Sequence, residues 1–313
     1  MKNILVSGSI AYDNIMSFEG SFSDTLDSDK EVISAAFLIK ELKKNFGGCA
    51  ANITFNLNQL GLKPIMMGAL GADHHNYSLE LDRLKISTKY VQIFDDVYSP
   101  QAFITSDSKG NQLTSFYPGA MNLAHRINFP SENIDLAIIS PDGYESMQQK
   151  VMLCDQKNIP FIFDPGQGIG MFSSDELKKF SKCASILALN EYEWEIFQQK
   201  TGYSIDDVKK LDTYLLITLG EKGSIFYAMQ ETIVTPAIAG VNVIDPTGCG
   251  DAFRAGFLYG WSNDLCWSDA CMLGSIMGGI AVEYNGTQNH NIDFLRINQL
   301  IESQFNSNFR MQP

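Results

Sequence analysis

The sequence is poor in positive charge. Lysine and arginine number 23 among its 313 residues, against 36 aspartates and glutamates, which gives a net charge of −13. Double-stranded nucleic acids are bound largely through basic residues, so this composition argues against a nucleic-acid partner. The overall charge would also repel an anionic substrate, which would have to be held by backbone amides or by a metal ion.

Motifs for metal binding, disulfide pairing and membrane insertion are missing as well. The four histidines and six cysteines form no H-E-x-x-H or C-x-x-C spacing, and unpaired thiols are typical of the cytoplasm. The first apolar run, residues 4–6, is too short for a signal peptide, and no run approaches the ~20 residues of a membrane-spanning helix. We therefore expect a globular, cytoplasmic protein with no membrane partner.

A turn of small residues between two aspartates is the strongest chemical signal in the sequence. It reads Asp245-Pro246-Thr247-Gly248-Cys249-Gly250-Asp251. The glycines leave the nearby amides accessible, and a helix beginning at about Asp251 would direct those amides at a phosphate group. A carboxylate at the same end suits a base that deprotonates an attacking hydroxyl. The alternative is a glycine turn in which Asp251 only caps the helix, and these residues alone leave the two interpretations about equal.

Two places near the amino end are candidates for contact with a small ligand. Asp13 follows the first predicted strand, where open α/β sheets bind ligands, although a turn aspartate explains it more simply. Gly47 and Gly48 precede a helical pattern that contains Asn52 about one turn in. The double glycine would let a ligand approach the backbone, and the amide of Asn52 offers a donor and an acceptor to a polyol. The alternative is that Asn52 lies on the outer face of a helix near its start and contacts no ligand.

Two turns in the second half of the chain also follow predicted strands. Asn190 and Glu193 have the spacing of a capping box, which is the leading explanation, while the same pair could order water around magnesium. A strand ending at Thr218 leads into a turn that contains Gly220 and Gly223. That turn either lets a nucleotide lie across the backbone or is a plain hairpin.

Alternating strands and helices predict an α/β fold. Strands are expected at residues 135–139, 161–163, 186–189 and 214–218, with helices at about 144–157, 175–182 and 191–201. This order implies a doubly wound, mainly parallel sheet flanked by helices. β-rich segments at 15–18, 32–37, 90–94, 101–105 and 112–117 interrupt the pattern, and we interpret them as a small separate sheet that would act as a lid.

Together these segments resemble the ribokinase-like (PfkB-type) family of carbohydrate and nucleoside kinases. The resemblance runs from Asp13 to about Gly286, and two motifs carry it: Gly47-Gly48-x-x-x-Asn52 and Asp245-x-Thr247-Gly248-x-Gly250-Asp251. It implies one kinase domain over residues 1–313, with a lid formed by about 12–46 and 96–120. It also implies ATP and Mg²⁺ as cofactors and, as in some members, a monovalent cation that is usually potassium.

The resemblance assigns a role to each motif. Asp251 would be the catalytic base, and the amides of Gly248, Cys249 and Gly250 would hold the transferred phosphoryl group; the cysteine stands where alanine is usual. The substrate positions would be Asp13, Gly47, Gly48 and Asn52, and the remaining ATP positions Asn190, Thr218, Gly220 and Gly223. Glu193 would hold Mg²⁺ through bound water. Asp245 and Thr247 match the positions of the monovalent cation.

Residues 34–48 resemble the bacterial nucleoside-kinase branch, close to adenosine kinases. Ala11 stands where some sugar kinases have asparagine, which weakens an assignment to ribokinase. Phe37 and Phe103 would stack on a nucleobase, unless they form the lid's own small core. The expected reaction is transfer of the γ-phosphoryl group of ATP to the 5′-hydroxyl of an adenosine-like nucleoside.

Two other functions stay open at this point. One is a kinase that acts on ribose, fructose or a similar polyol, and the other is a nucleotide- or nucleoside-binding regulator without catalysis. A homodimer that pairs through the lid is a further expectation from the family.

Overall fold

The protein consists of a large sheet covered by helices and a small second sheet, as seen in a computed structural model that describes residues 2–25 and 35–312. The strands are β1 Ile4–Ser7, β2 Ala11–Phe18, β3 Ile39–Gly47, β4 Ile65–Gly71, β5 Tyr90–Phe94, β6 Gln101–Ser106, β7 Gln112–Tyr117, β8 Leu136–Ile139, β9 Phe161–Phe163, β10 Ile186–Asn190, β11 Tyr214–Thr218, β12 Ser224–Tyr227 and β13 Thr232–Thr235. The α-helices are α1 Phe22–Thr25, α2 Cys49–Gln59, α3 His75–Arg83, α4 Tyr144–Gln156, α5 Ser174–Cys183, α6 Glu191–Thr201, α7 Ile205–Lys209, α8 Cys249–Ser262, α9 Trp267–Ala281 and α10 Phe294–Phe305.

The large sheet confirms the predicted doubly wound topology. Its order is β13-β12-β11-β10-β9-β8-β1-β4-β5. The strands from β11 to β5 pair in parallel, whereas β12 is antiparallel to both of its neighbours, β11 and β13. The chain leaves β1 toward β4 on one side and later returns to β8 on the other. A crevice forms at the carboxyl ends of strands where the winding direction reverses, and here that place is the end of β1.

Both faces of the large sheet are buried, which explains why its central strands are apolar without alternation. In β1, Ile4 and Val6 pack in one hydrophobic cluster with α2 and α8, whereas Leu5 packs in a second cluster with α4, α5 and α6. The third cluster joins α9 to α10. Helices therefore cover both faces of the large sheet.

One strand assignment from the sequence is wrong. Residues 90–94 were expected in the small sheet, but β5 pairs in parallel with β4 at the edge of the large sheet. The β-rich composition of this strand does not reveal which sheet it joins. Its partner β4 and the intervening helix α3 have weak periodicity and were not predicted, so nothing in the sequence indicated the β4–α3–β5 unit. The predicted strand at 32–37 lies partly outside the described residues, and Phe37 precedes β3.

The small sheet has the order β3-β2-β6-β7. Paired residues share a face, and the register pairs Asp13 with Asn45 on one side and with Ala102 on the other, while Ala102 pairs with Phe116. The face that carries Asp13 is here called the inner face. Leu42, Phe103, Leu113 and Tyr117 belong to the opposite, outer face.

No helix in the described part of the chain is long and apolar enough to cross a membrane.

The predicted hairpin turn at residues 109–111 joins β6 to β7, and Gly110 has the positive φ of 83° that such a turn needs. The predicted helices at 144–157, 175–182 and 191–201 correspond to α4, α5 and α6 within one or two residues.

Candidate active site

Asp251 lies in the first turn of α8, directly after the glycine turn. Gly248 is the residue before the helix and has a φ of 77°, and a Cβ there would come within 2.7 Å of the Thr287 side chain. The amides of Gly248 and Gly250 have no backbone acceptor in the described chain, whereas the Cys249 amide donates to the carbonyl of Pro246 at 3.3 Å. These free amides lie at the positive end of the helix dipole, which favours an anion.

Asn52 is held against Asp251 by a network of hydrogen bonds. Its Nδ2 donates to Oδ2 of Asp251 at 2.8 Å, and its Oδ1 accepts from Oγ1 of Thr287 at 2.7 Å and from Nε2 of Gln288 at 2.9 Å. Because the ionised carboxylate of Asp251 can only accept, the NH₂ group of Asn52 faces it and the carbonyl oxygen faces Thr287 and Gln288. Gln288 is itself held by the hydroxyl of Tyr77 at 2.9 Å. Asn52 therefore orients the carboxylate, besides any contact with a substrate.

The pKa of Asp251 is raised to about 6. Burial is the main cause, and the charge of Asp164 adds to it, while the hydrogen bond from Asn52 and the charge of Arg254 act in the other direction. A carboxyl group with this pKa is ionised near neutral pH and still basic enough to accept a proton. This property is what a general base requires.

Asp13 faces Asp251 from the start of β2. Its pKa is also raised to about 6, by burial first and then by the charges of Asp251 and Asp245. Gly47 and Gly48 are both required here, because a Cβ on Gly47 would lie 2.2 Å from the Asp13 carboxylate and Gly48 has a φ of 92°. The structure thus brings the two predicted groups of substrate residues, Asp13 with the double glycine and Asn52, to one side of Asp251.

Asp245 stays outside the immediate surroundings of Asp251. Its two carboxylate oxygens accept hydrogen bonds from the amides of Thr247 at 2.9 Å and Gly286 at 3.0 Å. It therefore ties the glycine turn to the loop that carries Thr287. The predicted role in binding a monovalent cation would have to use the remaining lone pairs of these oxygens.

The predicted ATP positions meet at the ends of two adjacent strands. Asn190 of β10 pairs with Thr218 of β11, and Asn190 and Glu193 form the expected capping box with reciprocal bonds of 2.8 Å. Glu193 is buried, and its pKa is raised by burial and by the charge of Asp164. The capping role is thus observed, and the same carboxylate also faces the side of the site where Asp251 lies.

The two glycines of the next turn differ in their surroundings. Gly223 has a φ of 94°, and a Cβ there would lie 2.0 Å from the carbonyl oxygen of Thr235. Gly220 has a φ of 59° with nothing within 4 Å of a Cβ. The turn is therefore a tight hairpin at Gly223 and open at Gly220, so that a flat ligand would have access to the backbone there.

The structure does not bring Phe103 to this site. The register pairs it with Asn14, which places its side chain on the outer face of the small sheet, away from Asp13. Phe116, which was not predicted, is on the inner face and 50% exposed. Phe37 packs edge-on against Phe18 and Phe22, so it belongs to the lid's own core. The amino-acid composition of a strand does not show which face each side chain occupies, so the sequence alone could not tell that Phe103 lies on the face opposite Asp13.

Four other residues of the site were not predicted. Asp164 follows β9 at the carboxyl end of the sheet, the same signal that selected Asp13 and that was overlooked here. Arg254 is part of the motif stretch but one turn beyond Asp251, and it forms a buried ion pair with Asp164. Thr287 and Gln288 lie in a loop with no pattern of its own, so nothing in the sequence indicates their contact with Asn52.

Two pockets that are open to solvent lie away from this cluster. One of about 190 Å³ is lined by Thr54, Lys63 and Lys85, and one of about 230 Å³ lies beside Arg83 and His290. Neither of these two pockets is lined by Asp251. Nor do the described residues contain a group of three or more histidine, cysteine or acidic side chains placed to hold a metal ion by themselves.

Comparison with known proteins agrees with this geometry. The model of the family described as pfkB family carbohydrate kinase matches residues 8–293. The chain belongs to the pfkB family of carbohydrate kinases. It is therefore a kinase with the ribokinase-like fold, as its sequence motifs predicted.

Several relatives within the pfkB family are nucleoside kinases. One from Methanocaldococcus jannaschii is 30% identical over 252 residues, which cover 80% of this chain and 83% of the relative. The structure of Burkholderia thailandensis nucleoside kinase in complex with inosine has a TM-score of 0.89 at 40% identity, covering 99% of this chain and 100% of that one. The same enzyme in complex with ADP-inosine has a TM-score of 0.86 at 41% identity and covers 99% and 97% of the two chains.

Proposed function

We propose that this pfkB-family protein transfers the γ-phosphoryl group of ATP to the 5′-hydroxyl of a purine nucleoside such as adenosine or inosine. The observation that carries the proposal is the position of Asp251, whose carboxylate is oriented by Asn52 at the amino end of α8 and faces Asp13. Relatives at 30–41% identity that are nucleoside kinases support the choice of a nucleoside as acceptor.

The residues of the site suggest how the reaction proceeds. Asp251 takes the proton of the 5′-hydroxyl while the oxygen of that hydroxyl forms a bond to the γ-phosphorus of ATP. The bond between this phosphorus and the β–γ bridging oxygen breaks, and ADP leaves. The amides of Gly248 and Gly250 stabilise the charge on the transferred group, since they lie at a helix amino end without a backbone acceptor in the described chain. Asp13 accepts hydrogen bonds from the ribose hydroxyls and so positions the nucleoside.

ATP would lie along the ends of β10 and β11, with its base over the open turn at Gly220 and its phosphates toward α8. Mg²⁺ fits this donor set because it usually keeps several waters and takes one or two carboxylates with the phosphates. Glu193 is the suitable carboxylate, since one oxygen accepts from the Asn190 amide and the other has no partner among the described residues. When bound, the ion would neutralise charge on the phosphates.

The small sheet would act as the lid and recognise the base. Phe116 is the aromatic side chain that the register places on the inner face, two strands from Asp13, which is about 10 Å at the usual strand spacing. A nucleoside with its ribose at Asp13 would extend over this distance. Replacing Phe116 by alanine should raise the nucleoside KM about tenfold, because stacking of a base on an aromatic ring contributes ~1–3 kcal/mol. Phe103→Ala, on the outer face, is the matched control and should leave the KM within twofold.

A monovalent cation and a dimer are two further parts of the proposal. Potassium near Asp245 would stiffen the glycine turn, and activity measured in potassium against tetramethylammonium salts tests for it. The outer face of the lid exposes four large side chains: Leu42 at 65%, Leu113 at 44%, Tyr117 at 41% and Phe103 at 39%. A second copy would cover this apolar face, and sedimentation of the wild type against Leu42→Lys tests for the dimer.

The decisive experiment measures ADP release from ATP over a panel of acceptors. Adenosine, inosine, ribose and fructose are each tested with the wild type and with Asp251→Asn. We expect turnover with the nucleosides and loss of most of it in the variant. Turnover with fructose or ribose alone would favour a sugar kinase. Thermal stabilisation by nucleosides with no ADP release from any acceptor would favour a regulator that binds nucleosides.

A further inference from the structure

Arg254 is a buried arginine beside the proposed anion hole. It is 7% exposed and lies one turn after Asp251 in α8. Asp164, 1% exposed, comes from the end of β9 and pairs with it: Nη2 donates to Oδ1 at 3.0 Å, and Nε contacts Oδ2. The guanidinium is thus held from one side by both carboxylate oxygens. This paired contact fixes the plane of the guanidinium group.

The third nitrogen of the guanidinium, Nη1, lies against the glycine turn. A Cβ on Gly250 would come within 2.9 Å of it. This closeness follows from helix geometry, because side chains tilt toward the helix amino end and residue 254 lies one turn after residue 250. Within the described residues Nη1 makes no hydrogen bond to the protein. The largely buried Arg254 side chain therefore presents a donor without a protein partner next to the backbone of Gly250.

Three carboxylates surround the guanidinium of Arg254. Asp164, Glu193 and Asp251 all lie close enough for their charges to raise the pKa of Arg254 despite its burial. One cation among these carboxylates does not attract a polyphosphate unless it faces the phosphate directly. The ion pair uses Nε and Nη2, so Nη1, which helix geometry brings beside Gly250, is the nitrogen left to meet a phosphate oxygen.

We propose that Arg254 is a catalytic residue whose Nη1 donates a hydrogen bond to the transferred phosphoryl group. Asp164 is the positioning residue that aims it. The inference rests on the proposed phosphoryl transfer and adds to it a fixed positive charge beside the free amides of the glycine turn. Charge spreads over the phosphoryl oxygens in the transition state, where an arginine stabilises it more than it stabilises the bound substrates.

The test compares Arg254→Lys and Arg254→Met with the wild type by steady-state kinetics with ATP and inosine. Losing one donor to a developing oxyanion lowers kcat by about 10²–10³ in other enzymes, and we expect that fall in Arg254→Met with the nucleoside KM within threefold. Arg254→Lys keeps the charge but loses the paired geometry, so it should be intermediate. Arg310→Met, an exposed arginine paired with Glu302, is the matched control and should retain wild-type kinetics.

A second variant keeps the test valid if Arg254→Met unfolds because the charge of Asp164 is left buried and unpaired. Asp164→Asn combined with Arg254→Met removes both buried charges, and its fold is checked by thermal unfolding. A folded double variant with a loss of kcat of at least 30-fold, partly restored by added ethylguanidinium, supports the role of Nη1. A folded variant with wild-type kcat, or with equal losses in kcat and inosine affinity and no rescue, overturns it. Absence of ADP release by the wild type itself would overturn the proposed function and this inference with it.

Discussion

Replacing Asp251 by asparagine should slow the reaction and stabilise the fold at the same time. The carboxylate is partly buried near Asp164, and its pKa of about 6 lies well above the usual value of 3.8. A carboxyl group whose pKa is raised by folding is protonated more readily in the native state. Its contribution to stability is therefore favourable at low pH and is lost as the pH rises through about 6. Asparagine avoids this loss and keeps a carbonyl oxygen for the bond from Asn52.

The magnitude follows from the shift in pKa. Two pKa units correspond to about 3 kcal/mol at ~1.36 kcal/mol per unit. Because the side chain retains some exposure, we expect about 1–2 kcal/mol of stabilisation in the variant above pH 7, which is on the order of 2–5 °C in Tm for a chain of this size. Loss of a general base should lower kcat by about 10²–10⁴.

The assay measures thermal unfolding from pH 4 to pH 8 and ADP release at pH 7.5 for the same preparations. The difference in Tm between Asp251→Asn and the wild type should be near zero at pH 4 and should grow to its full value above pH 7. Asp96→Asn is the matched control, since Asp96 is an exposed aspartate in the turn after β5 and should show no such trend. Inosine should bind the variant within a few-fold of the wild-type affinity.

Two results would refute this reasoning separately. Near-normal turnover in Asp251→Asn would remove Asp251 from the role of base. A Tm difference that is independent of pH, or one that favours the wild type at pH 8, would show that the site does not destabilise the ionised carboxylate. Because the two readouts come from one variant, a loss of activity caused by unfolding would be recognised at once.

The remaining predictions concern the supports of the site. Gly223→Ala should lower the Tm by more than 8 °C because its Cβ has no room, whereas Gly220→Ala should lower it by less than 4 °C; equal effects in differential scanning calorimetry would contradict the difference in packing. Gln288→Leu removes one of the donors that fix the amide of Asn52, so kcat should fall about tenfold with a smaller change in Tm than in activity; an unchanged kcat would remove the orienting role. The logarithm of kcat/KM should fall below about pH 6 with a slope above one, because both Asp251 and Asp13 must be ionised. Asp13→Asn should reduce that slope to one. A slope of one in the wild type would contradict the coupling between the two carboxylates.

The outcome for individual elements shows where sequence reasoning works. The helix at residues 191–201 and the strands at 161–163 and 214–218 were predicted to the residue, because their periodicity and caps depend only on neighbours in the chain. The strand at 90–94 was identified as a strand but assigned to the wrong sheet. Pairing partners are distant in sequence, and β composition is the same for an edge strand of either sheet.

The candidate site follows the same division. Asp251, the glycine turn and Gly47-Gly48 were found because they stand in short motifs whose backbone needs are local. Phe103 was chosen in place of Phe116 because the face of a strand depends on the pairing register, which side-chain chemistry does not show. Thr287 and Gln288 were missed since their contacts to Asn52 join positions more than 230 residues apart.

The sequence by itself determined the fold class, the position of the glycine turn proposed to bind phosphate and the candidate base, because each depends on patterns of nearby residues. Only the tertiary structure decided how the site is arranged. It oriented the amide of Asn52 through Thr287 and Gln288, placed Phe116 rather than Phe103 on the inner face, and brought Arg254 and Asp164 together beside Gly250. The physical reason is that direction and distance between side chains arise when the strands and helices pack, and no local pattern encodes them.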